Sequence, residues 1–276
     1  MTASVVASTG SKKTVAQQGA HGRQTWVLLR GLGREAGHWD DFLEPFKEAF
    51  PDDRVLTPDL PGAGRNREAT CPLTIGELTD AVRRDCAVDG PVHLFAISLG
   101  GMVALDWAQR YPNEVVGFVL VNSSVGSLSK IFERLQPPAA KKLFASMLER
   151  NRLEREKKVL DFISNFRQND LALAQRLAKV SEARPVKRSS VIRQLLAGAR
   201  FRPRDEKPKA PGLVLYSAKD QMVHPNCSRA IAAKWGFEKE EHPTAGHDLA
   251  MDDGKWVIAR VVGWIDRLRN RREADV

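Results

Sequence analysis

Cysteine and long hydrophobic runs are both scarce in this sequence of 276 residues. The three cysteines, Cys71, Cys86 and Cys227, lie far apart and form no CxxC pair. An odd number of widely spaced cysteines argues against a disulfide framework or a zinc ribbon and favours a reducing, cytoplasmic compartment. The apolar run Val115–Val121 is interrupted by Gly117. It falls far short of the about 20 residues that cross a bilayer, so we expect no membrane span.

The N-terminal segment, residues 1–22, contains no acidic residue and is rich in Ser, Thr, Gly and Gln. It lacks the apolar stretch of a secretory signal. A transit peptide remains an alternative because acidic residues are absent. We interpret residues 1–22 as an N-terminal tail or an edge strand.

Positive charge is concentrated in one central segment. Residues 123–210 hold 21 Lys and Arg against 9 Asp and Glu, whereas the whole chain has a net charge of +9. This segment shows only helical patterns, sufficient for two or three helices. On either side of it, short apolar strands alternate with amphipathic helices, which predicts a mostly parallel sheet covered by helices on both faces. We therefore divide the chain into a core of residues 23–122 and 211–276 and a helical insert of residues 123–210.

The insert is expected to lie over the candidate site. It leaves the predicted sheet directly after one strand and returns directly before the next. In a parallel α/β sheet this position lies above the carboxyl ends of the strands, where ligands bind. We predict that the insert is a lid.

Ser98 is the candidate nucleophile. It lies in Phe95-Ala96-Ile97-Ser98-Leu99-Gly100-Gly101, between a predicted strand and a predicted helix. A serine that projects from such a tight turn needs small neighbours two residues before and after it, and Ala96 and Gly100 are small. The helix N-terminus also favours negative charge that develops beside the serine. The alternative is an ordinary serine that caps a helix.

A serine hydroxyl needs a base, and the base needs an orienting acid. In a strand–serine–helix arrangement of this kind the acid and the histidine follow the serine in that order. Of the three later histidines, His247 lies in a small-residue loop before the last helix, His242 lies in a predicted strand, and His224 remains plausible only as a pocket or loop residue. Asp220 directly follows a predicted strand, although an ordinary turn aspartate is the alternative. We select His247 as the base and Asp220 as the acid.

Two backbone N–H groups are the candidates for an oxyanion hole. One belongs to Leu99, directly after the serine, and the other to Leu32 in the glycine-rich loop after the first strand. Trp39, Asn122 and Ser123 are candidates for binding substrate.

These motifs resemble the α/β-hydrolase superfamily, and in particular its lid-bearing serine carboxylesterases. The resemblance covers about residues 24–122 and 211–268. Its motifs are Arg30-Gly31-Leu32-Gly33 with Trp39, Asp59-Leu60-Pro61-Gly62-Ala63-Gly64, Ala96-Ile97-Ser98-Leu99-Gly100-Gly101, Ala218-Lys219-Asp220 and Ala245-Gly246-His247. Two residues depart from the usual pattern: Arg30 stands where histidine is common, and Ala96 replaces the first glycine of the turn.

The resemblance implies a serine hydrolase that cleaves a carboxylic ester or thioester through a Ser98–His247–Asp220 triad and an acyl-enzyme. It implies no metal and no organic cofactor. Acyl transfer to another acceptor and hydrolysis of a carbon–carbon bond are alternatives at the same triad. A ligand-binding protein that has kept the fold is a further alternative from another class.

The positive charge of the insert has two interpretations. It could attract an anionic substrate or carrier, such as acyl carrier protein or CoA. It could instead belong to solvated helix faces, because Glu149, Glu154 and Glu156 alternate with basic residues there. We favour solvated faces. The basic residues are not interleaved with aromatic residues and no nucleic-acid motif is present, so nucleic acid is not expected as a partner.

Overall fold

Six strands lie side by side in one sheet, in a computed structural model that describes residues 23–274. Their order is β2-β1-β3-β4-β5-β6, and every neighbouring pair is parallel. The strands are β1 (Thr25–Leu29), β2 (Arg54–Leu56), β3 (Val92–Ile97), β4 (Val115–Val121), β5 (Gly212–Ser217) and β6 (Glu238–His242). The parallel sheet predicted from alternating strands and helices is thus confirmed. The predicted tail or edge strand, residues 1–22, lies outside the described residues.

Helices follow most of the strands and cover the sheet. They are α1 (Leu43–Ala49), α2 (Ile75–Cys86), α3 (Leu99–Arg110), α4 (Ile131–Arg134), α5 (Pro137–Leu148), α6 (Arg152–Ile163), α7 (Leu171–Ala183), α8 (Arg188–Arg200), α9 (Asn226–Trp235), α10 (Leu249–Asp252) and α11 (Gly254–Ala274). Two short 3-10 helices span Ala36–Phe42 and Gly64–Asn66. Within residues 23–274, no helix is both long enough and apolar enough to cross a membrane.

The two faces of the sheet contribute to two separate hydrophobic cores. Side chains alternate between the faces along a strand, and in β1 Val27 and Leu29 join one core whereas Trp26 and Leu28 join the other. The first core packs against α2, α3 and α9, and the second packs against α1 and α11. Because both faces of the sheet are covered, the central strands are apolar at most positions on both faces.

An aromatic cluster holds the first helical segment on the sheet. Phe42, Phe46 and Phe50 recur every four residues, and the Phe46 ring centroid lies 5.3 Å from that of Trp26 and 5.6 Å from that of Phe95. The spacing of these three phenylalanines predicts one helix over residues 38–50. The structure has two segments instead: a 3-10 helix that is kinked at Asp40, where φ is +41°, ends at Phe42, and α1 begins at Leu43.

The helical insert contains five helices, α4 to α8, rather than the two or three that the sequence predicts. The apolar residues spaced over residues 143–166 predict one continuous helix there, whereas the structure has two, α5 and α6. Asn151 separates them, because its side chain accepts a hydrogen bond from the Glu154 N–H at 3.2 Å and so caps the start of α6.

Candidate active site

Ser98 occupies a strained turn between β3 and α3. Its φ of +56° and ψ of −116° are unusual for a residue with a side chain and store local strain. Gly100 permits this turn, since a Cβ built there would lie only 2.6 Å from the Leu29 carbonyl oxygen and 2.7 Å from that of Arg30. The close approach of β1 to the start of α3 therefore requires glycine at position 100.

Asp220 and His247 contact each other through their side chains. Asp220 follows β5, His247 lies in the loop between β6 and α10, and His247 Nδ1 lies 2.7 Å from Asp220 Oδ2. The other oxygen, Asp220 Oδ1, accepts hydrogen bonds from the backbone N–H groups of Met222 and Val223 at 2.8 and 2.9 Å. The aspartate is therefore fixed in orientation before it meets the imidazole.

The environment of His247 favours its protonated form. Burial disfavours the imidazolium, but the charge of Asp220 and its hydrogen bond outweigh burial, so the pKa of His247 lies above its ordinary value. Asp248 acts in the same direction, and Arg30 opposes both aspartates.

Ser98 and His247 line the same cavity, which has a volume of about 130 Å³. Leu32 lines it as well, whereas Asp220 lies behind the imidazole and outside the lining. Side chains from α5, α6 and α8 of the insert form much of the remaining wall. The structure thus brings the predicted serine, histidine and oxyanion-loop residue to one cavity beside the insert.

The loop that carries Leu32 passes directly over Ser98. A Cβ on Gly31 would lie 3.2 Å from the Ser98 Cβ, so only a small residue leaves the serine accessible. Gln194 of α8 is fully buried, and its side-chain oxygen accepts a hydrogen bond from the Gly33 N–H at 2.8 Å. Leu99, the other predicted donor, is the first residue of α3, where N–H groups have no acceptor within the helix.

Asn122, predicted to bind substrate, does not line the cavity, and its side chain has partners elsewhere. It accepts a hydrogen bond from the Ser217 N–H at 2.9 Å and donates to the His247 carbonyl oxygen at 2.8 Å. It therefore joins the ends of β4 and β5 to the histidine loop. Asn122 directly follows β4, beside the strand that precedes Asp220, and this position in the sequence does not by itself distinguish a ligand for substrate from a structural partner.

Ser123 and Trp39, the other two predicted substrate-binding residues, also lie outside the lining of this cavity. The Ser123 hydroxyl donates a hydrogen bond to the Ser98 carbonyl oxygen at 2.8 Å and so supports the turn from beneath. Trp39 is 2% exposed and packs in the second core against Phe95. Both residues support the site through these contacts, and a role for them in binding substrate stays a prediction.

Arg30, the departure from the family's histidine, forms a buried ion pair with Asp248. Its two terminal nitrogens contact the two carboxylate oxygens, one of them at 3.3 Å, and its guanidinium lies 4.6 Å from the Trp39 ring centroid. Burial alone would raise the pKa of Asp248, but Arg30 holds it below its ordinary value. Asp248 directly precedes α10, but its side chain makes no capping hydrogen bond.

The other two histidines that follow Ser98 in the sequence, His242 and His224, have structural partners. His242 is buried at the end of β6, and its Nδ1 accepts a hydrogen bond from the Ala245 N–H at 2.9 Å. His224 Nδ1 accepts one from the Asn226 N–H at 3.2 Å. Within the described part of the chain, no group of three or more His, Cys, Asp or Glu side chains is placed to hold a metal ion.

A family model agrees with this architecture. The model described as "Alpha/beta hydrolase family" matches residues 26–260, most of the chain. The chain belongs to the α/β-hydrolase family. The resemblance that the sequence motifs suggested is confirmed, and so is the fold class.

Individual relatives of this α/β hydrolase have several activities in their names. The chain is 27% identical over 235 residues to a 2-hydroxy-6-oxononadienedioate/2-hydroxy-6-oxononatrienedioate hydrolase of Paraburkholderia phymatum, covering 82% of this chain and 80% of that one. It is 39% identical over 102 residues to a pimeloyl-[acyl-carrier protein] methyl ester esterase of Aromatoleum aromaticum, covering 37% and 38%. The crystal structure of the enol-lactonase from Burkholderia xenovorans LB400 superposes with a TM-score of 0.71 at 18% identity, covering 89% and 92%. These proteins are hydrolases or esterases by name, and their variety leaves the bond that is cleaved to be argued from the site.

Proposed function

We propose that this α/β hydrolase is a serine hydrolase that cleaves a carboxylic ester or thioester through an acyl-enzyme. One observation carries the proposal. Ser98 lines the same cavity as His247, and the imidazole of His247 lies 2.7 Å from the buried carboxylate of Asp220. A serine, a histidine and a buried acid in this relation are the parts that nucleophilic acyl transfer needs.

The proposed reaction has two steps. Ser98 Oγ attacks the carbonyl carbon while His247 Nε2, the ring nitrogen not facing Asp220, accepts the hydroxyl proton. The bond from the carbonyl carbon to the leaving oxygen or sulfur breaks, and His247 returns the proton to the leaving group. Water, activated by His247 in the same way, then adds to the acyl-enzyme and releases the carboxylic acid and free Ser98.

Asp220 and two backbone groups stabilise the charges that form. The carboxylate of Asp220 holds the imidazole in one tautomer and stabilises the imidazolium. We assign the oxyanion to the N–H groups of Leu32 and Leu99, at the glycine-rich loop and at the N-terminus of α3. Loss of one such donor typically lowers kcat by about 10²–10³-fold. The helical insert is proposed to act as a lid, because α5, α6 and α8 contribute to the cavity wall.

Substitution of the nucleophile tests the proposal. We expect wild-type protein to release a burst of p-nitrophenol from a short-chain p-nitrophenyl ester and to be labelled at Ser98 by a fluorophosphonate. Ser98→Ala is expected to lose both the burst and the label. Ser127→Ala is a matched control, since it removes an exposed serine hydroxyl that does not line the cavity. Full turnover by Ser98→Ala would contradict the assignment, and the absence of label and turnover in wild type would favour a ligand-binding protein.

A second candidate is hydrolysis of a carbon–carbon bond in a diketone at the same triad. It is favoured by the relative from P. phymatum, which is named as a 2-hydroxy-6-oxononadienedioate hydrolase and aligns over most of the chain. Product analysis separates the candidates, because ester cleavage yields an acid and an alcohol or thiol, whereas carbon–carbon cleavage yields an acid and a ketone or enol. Supplying alternative acceptors in the same assay detects acyl transfer. Acyl carrier protein or CoA as the leaving group stays a prediction of the sequence.

A further inference from the structure

The cavity that Ser98 lines carries more positive than negative charge. Five arginines line it, against two carboxylates, those of Glu156 and Asp248. Each carboxylate already has an arginine partner: Arg30 pairs with Asp248, and Arg34 Nη1 contacts Glu156 Oε2 at 2.6 Å. The second terminal nitrogen of Arg34 is buried and has no hydrogen-bond partner within residues 23–274. The charge within the cavity is therefore not balanced by the protein itself.

The three other arginines of the lining, Arg152, Arg155 and Arg188, all come from the insert. Among the described residues, none of them has a carboxylate within ion-pair distance. Arg155 donates instead to the backbone carbonyl oxygen of Glu149 at 3.1 and 2.5 Å, and Arg188 donates to that of Leu148 at 3.3 Å. Burial lowers the pKa of Arg155, and the charges of Arg152 and Arg188 act in the same direction, whereas Glu156 and Glu149 oppose them. Arg152 and Arg188 thus each repel the Arg155 guanidinium, and the nearby Glu156 carboxylate is already paired with Arg34.

Helix geometry adds to the positive potential at this place. Arg152 is the first residue of α6 and Arg188 is the first residue of α8. The N-terminus of a helix carries partial positive charge and favours anions, so an arginine there is unfavourable by itself. Two helices that both begin with arginine and both face one cavity form a place where an anion would be stabilised.

The order of residues along α6 shows how far Arg152 and Arg155 lie from His247. The last residue of α6, Ile163, accepts a hydrogen bond from the Asp248 N–H at 2.7 Å, so this end of the helix adjoins His247. From that end the lining changes from Ile163, Phe162 and Val159 to Arg155 and Arg152. At 1.5 Å per residue, Arg155 and Arg152 lie about 12 and 16 Å along the axis from Ile163. The side of the cavity that α6 forms is therefore apolar near His247 and, beyond the Glu156 carboxylate that is paired with Arg34, cationic farther away.

We propose that Arg152, Arg155 and Arg188 form a subsite for a carboxylate at the far end of the substrate's acyl chain. This inference rests on the proposed function, because it places the scissile carbonyl at Ser98 and the chain along the apolar wall of α6. The substrate class is then a monoester or monothioester of a dicarboxylic acid, whose free carboxylate neutralises the three arginines.

Paired substrates test the subsite. The assay compares mono-p-nitrophenyl esters of straight-chain dicarboxylic acids with p-nitrophenyl esters of monocarboxylic acids that have the same number of carbons. We expect wild type to prefer the carboxylate-bearing ester above a minimum chain length. The variant Arg152→Gln/Arg155→Gln/Arg188→Gln should lose about 10- to 100-fold in kcat/KM for that ester, as expected when hydrogen bonds between charged groups are lost. Its kcat/KM for the neutral ester should remain near that of wild type.

A control variant separates the subsite from the overall charge of the insert. Lys141→Gln/Arg150→Gln/Arg200→Gln removes the same number of charges from exposed residues of the insert that do not line the cavity. We expect it to keep the preference for the carboxylate-bearing ester. The inference is overturned if wild type shows no such preference at any chain length, or if both triple variants reduce it equally.

A binding measurement distinguishes this inference from the proposed function. Ser98→Ala, titrated calorimetrically with monomethyl octanedioate and with methyl octanoate, should bind the former more tightly, and the arginine triple variant in the same background should lose the difference. If wild type hydrolyses neither class of ester but the binding difference is present, the proposed function fails and the subsite stands. If hydrolysis is observed but the binding difference is absent, the subsite fails alone.

Discussion

Asp248→Asn is expected to destabilise the fold strongly, because it leaves the Arg30 guanidinium buried without its counterion. The side chains of Arg30 and Asp248 are only 5% and 4% exposed. Arg30 Nε is already buried without a hydrogen-bond partner. After the substitution, the remaining favourable contact for the cation that the structure shows is the face of Trp39, at 4.6 Å from its ring centroid.

The magnitude follows from the burial of the pair. Removal of one partner of a buried ion pair typically costs about 3–5 kcal/mol of the free energy of unfolding. The contact of a desolvated cation with an aromatic ring is worth about 2 kcal/mol or more. Because Arg30 keeps this contact with Trp39 in the variant, we expect the loss of unfolding free energy to lie near the lower end of that range. For a chain of this length, a loss of about 3 kcal/mol corresponds to a fall in Tm of about 6–12 °C.

Urea unfolding of the two variants checks this reasoning. Asp248→Asn is compared with Arg30→Met/Asp248→Asn, in which the buried charge is removed as well. Since replacement of a whole buried pair by uncharged groups is often neutral or stabilising, the double variant should recover most of the lost stability. A loss below about 1 kcal/mol for Asp248→Asn, or a double variant no more stable than the single one, would refute the argument that an unpaired buried cation sets the cost.

Two further predictions concern the turn and the triad. Asp220→Asn should lower kcat by about 10⁴-fold. Because Asp220 raises the pKa of His247, the acid limb of the pH profile of kcat/KM should also move to lower pH in this variant. An acid limb that stays in place would contradict the coupling between the two residues. Gly100→Ala should cost about 1–3 kcal/mol in urea unfolding, since its Cβ would lie 2.6 Å from the Leu29 carbonyl oxygen. Gly263→Ala in α11, where the nearest atom would be an Arg267 side-chain nitrogen at 3.6 Å, serves as the control and should be neutral or stabilising.

The fold was predictable because its signals are local. Each central strand is a short apolar run followed by glycine, proline or a small polar residue, and the pattern between strands has a helical period. The small residues around Ser98 reflect a steric requirement that the structure shows directly, in the close approach of Gly100 to the Leu29 carbonyl oxygen. The boundary between α5 and α6 was also encoded locally, by Asn151 three residues before Glu154, but continuous apolar spacing across it concealed the cap.

Contacts between residues distant in the sequence were not predictable. Asn122 meets the histidine loop, and Arg30 meets Asp248, across more than 100 residues of chain. Neither residue type is specific to such a role. An asparagine after a strand can equally form a turn, bind a ligand or link neighbouring segments. Its partners depend on how β4, β5 and the histidine loop pack together.

The positive charge of the insert is another feature whose role the sequence alone does not give. Composition gives an excess of positive charge over residues 123–210 but not its use. The interpretation as solvated faces does not hold for Glu156, which is 2% exposed and paired with Arg34 inside the cavity.

Other basic residues of the insert differ in whether a carboxylate lies near them. Arg184 pairs with the buried Glu35 and Arg176 pairs with Asp40, so these two hold α7 against the loop after β1. Lys158 pairs with Glu149 at the surface of the insert itself. Among the described residues of the insert, only Arg152, Arg155 and Arg188 are arginines that line the cavity without a carboxylate within ion-pair distance. The net charge of the insert is therefore a poor measure of its effect on a ligand, because many of its cations are already paired. The effect that the structure supports is a short-range one, from the few unpaired guanidinium groups that line the small cavity.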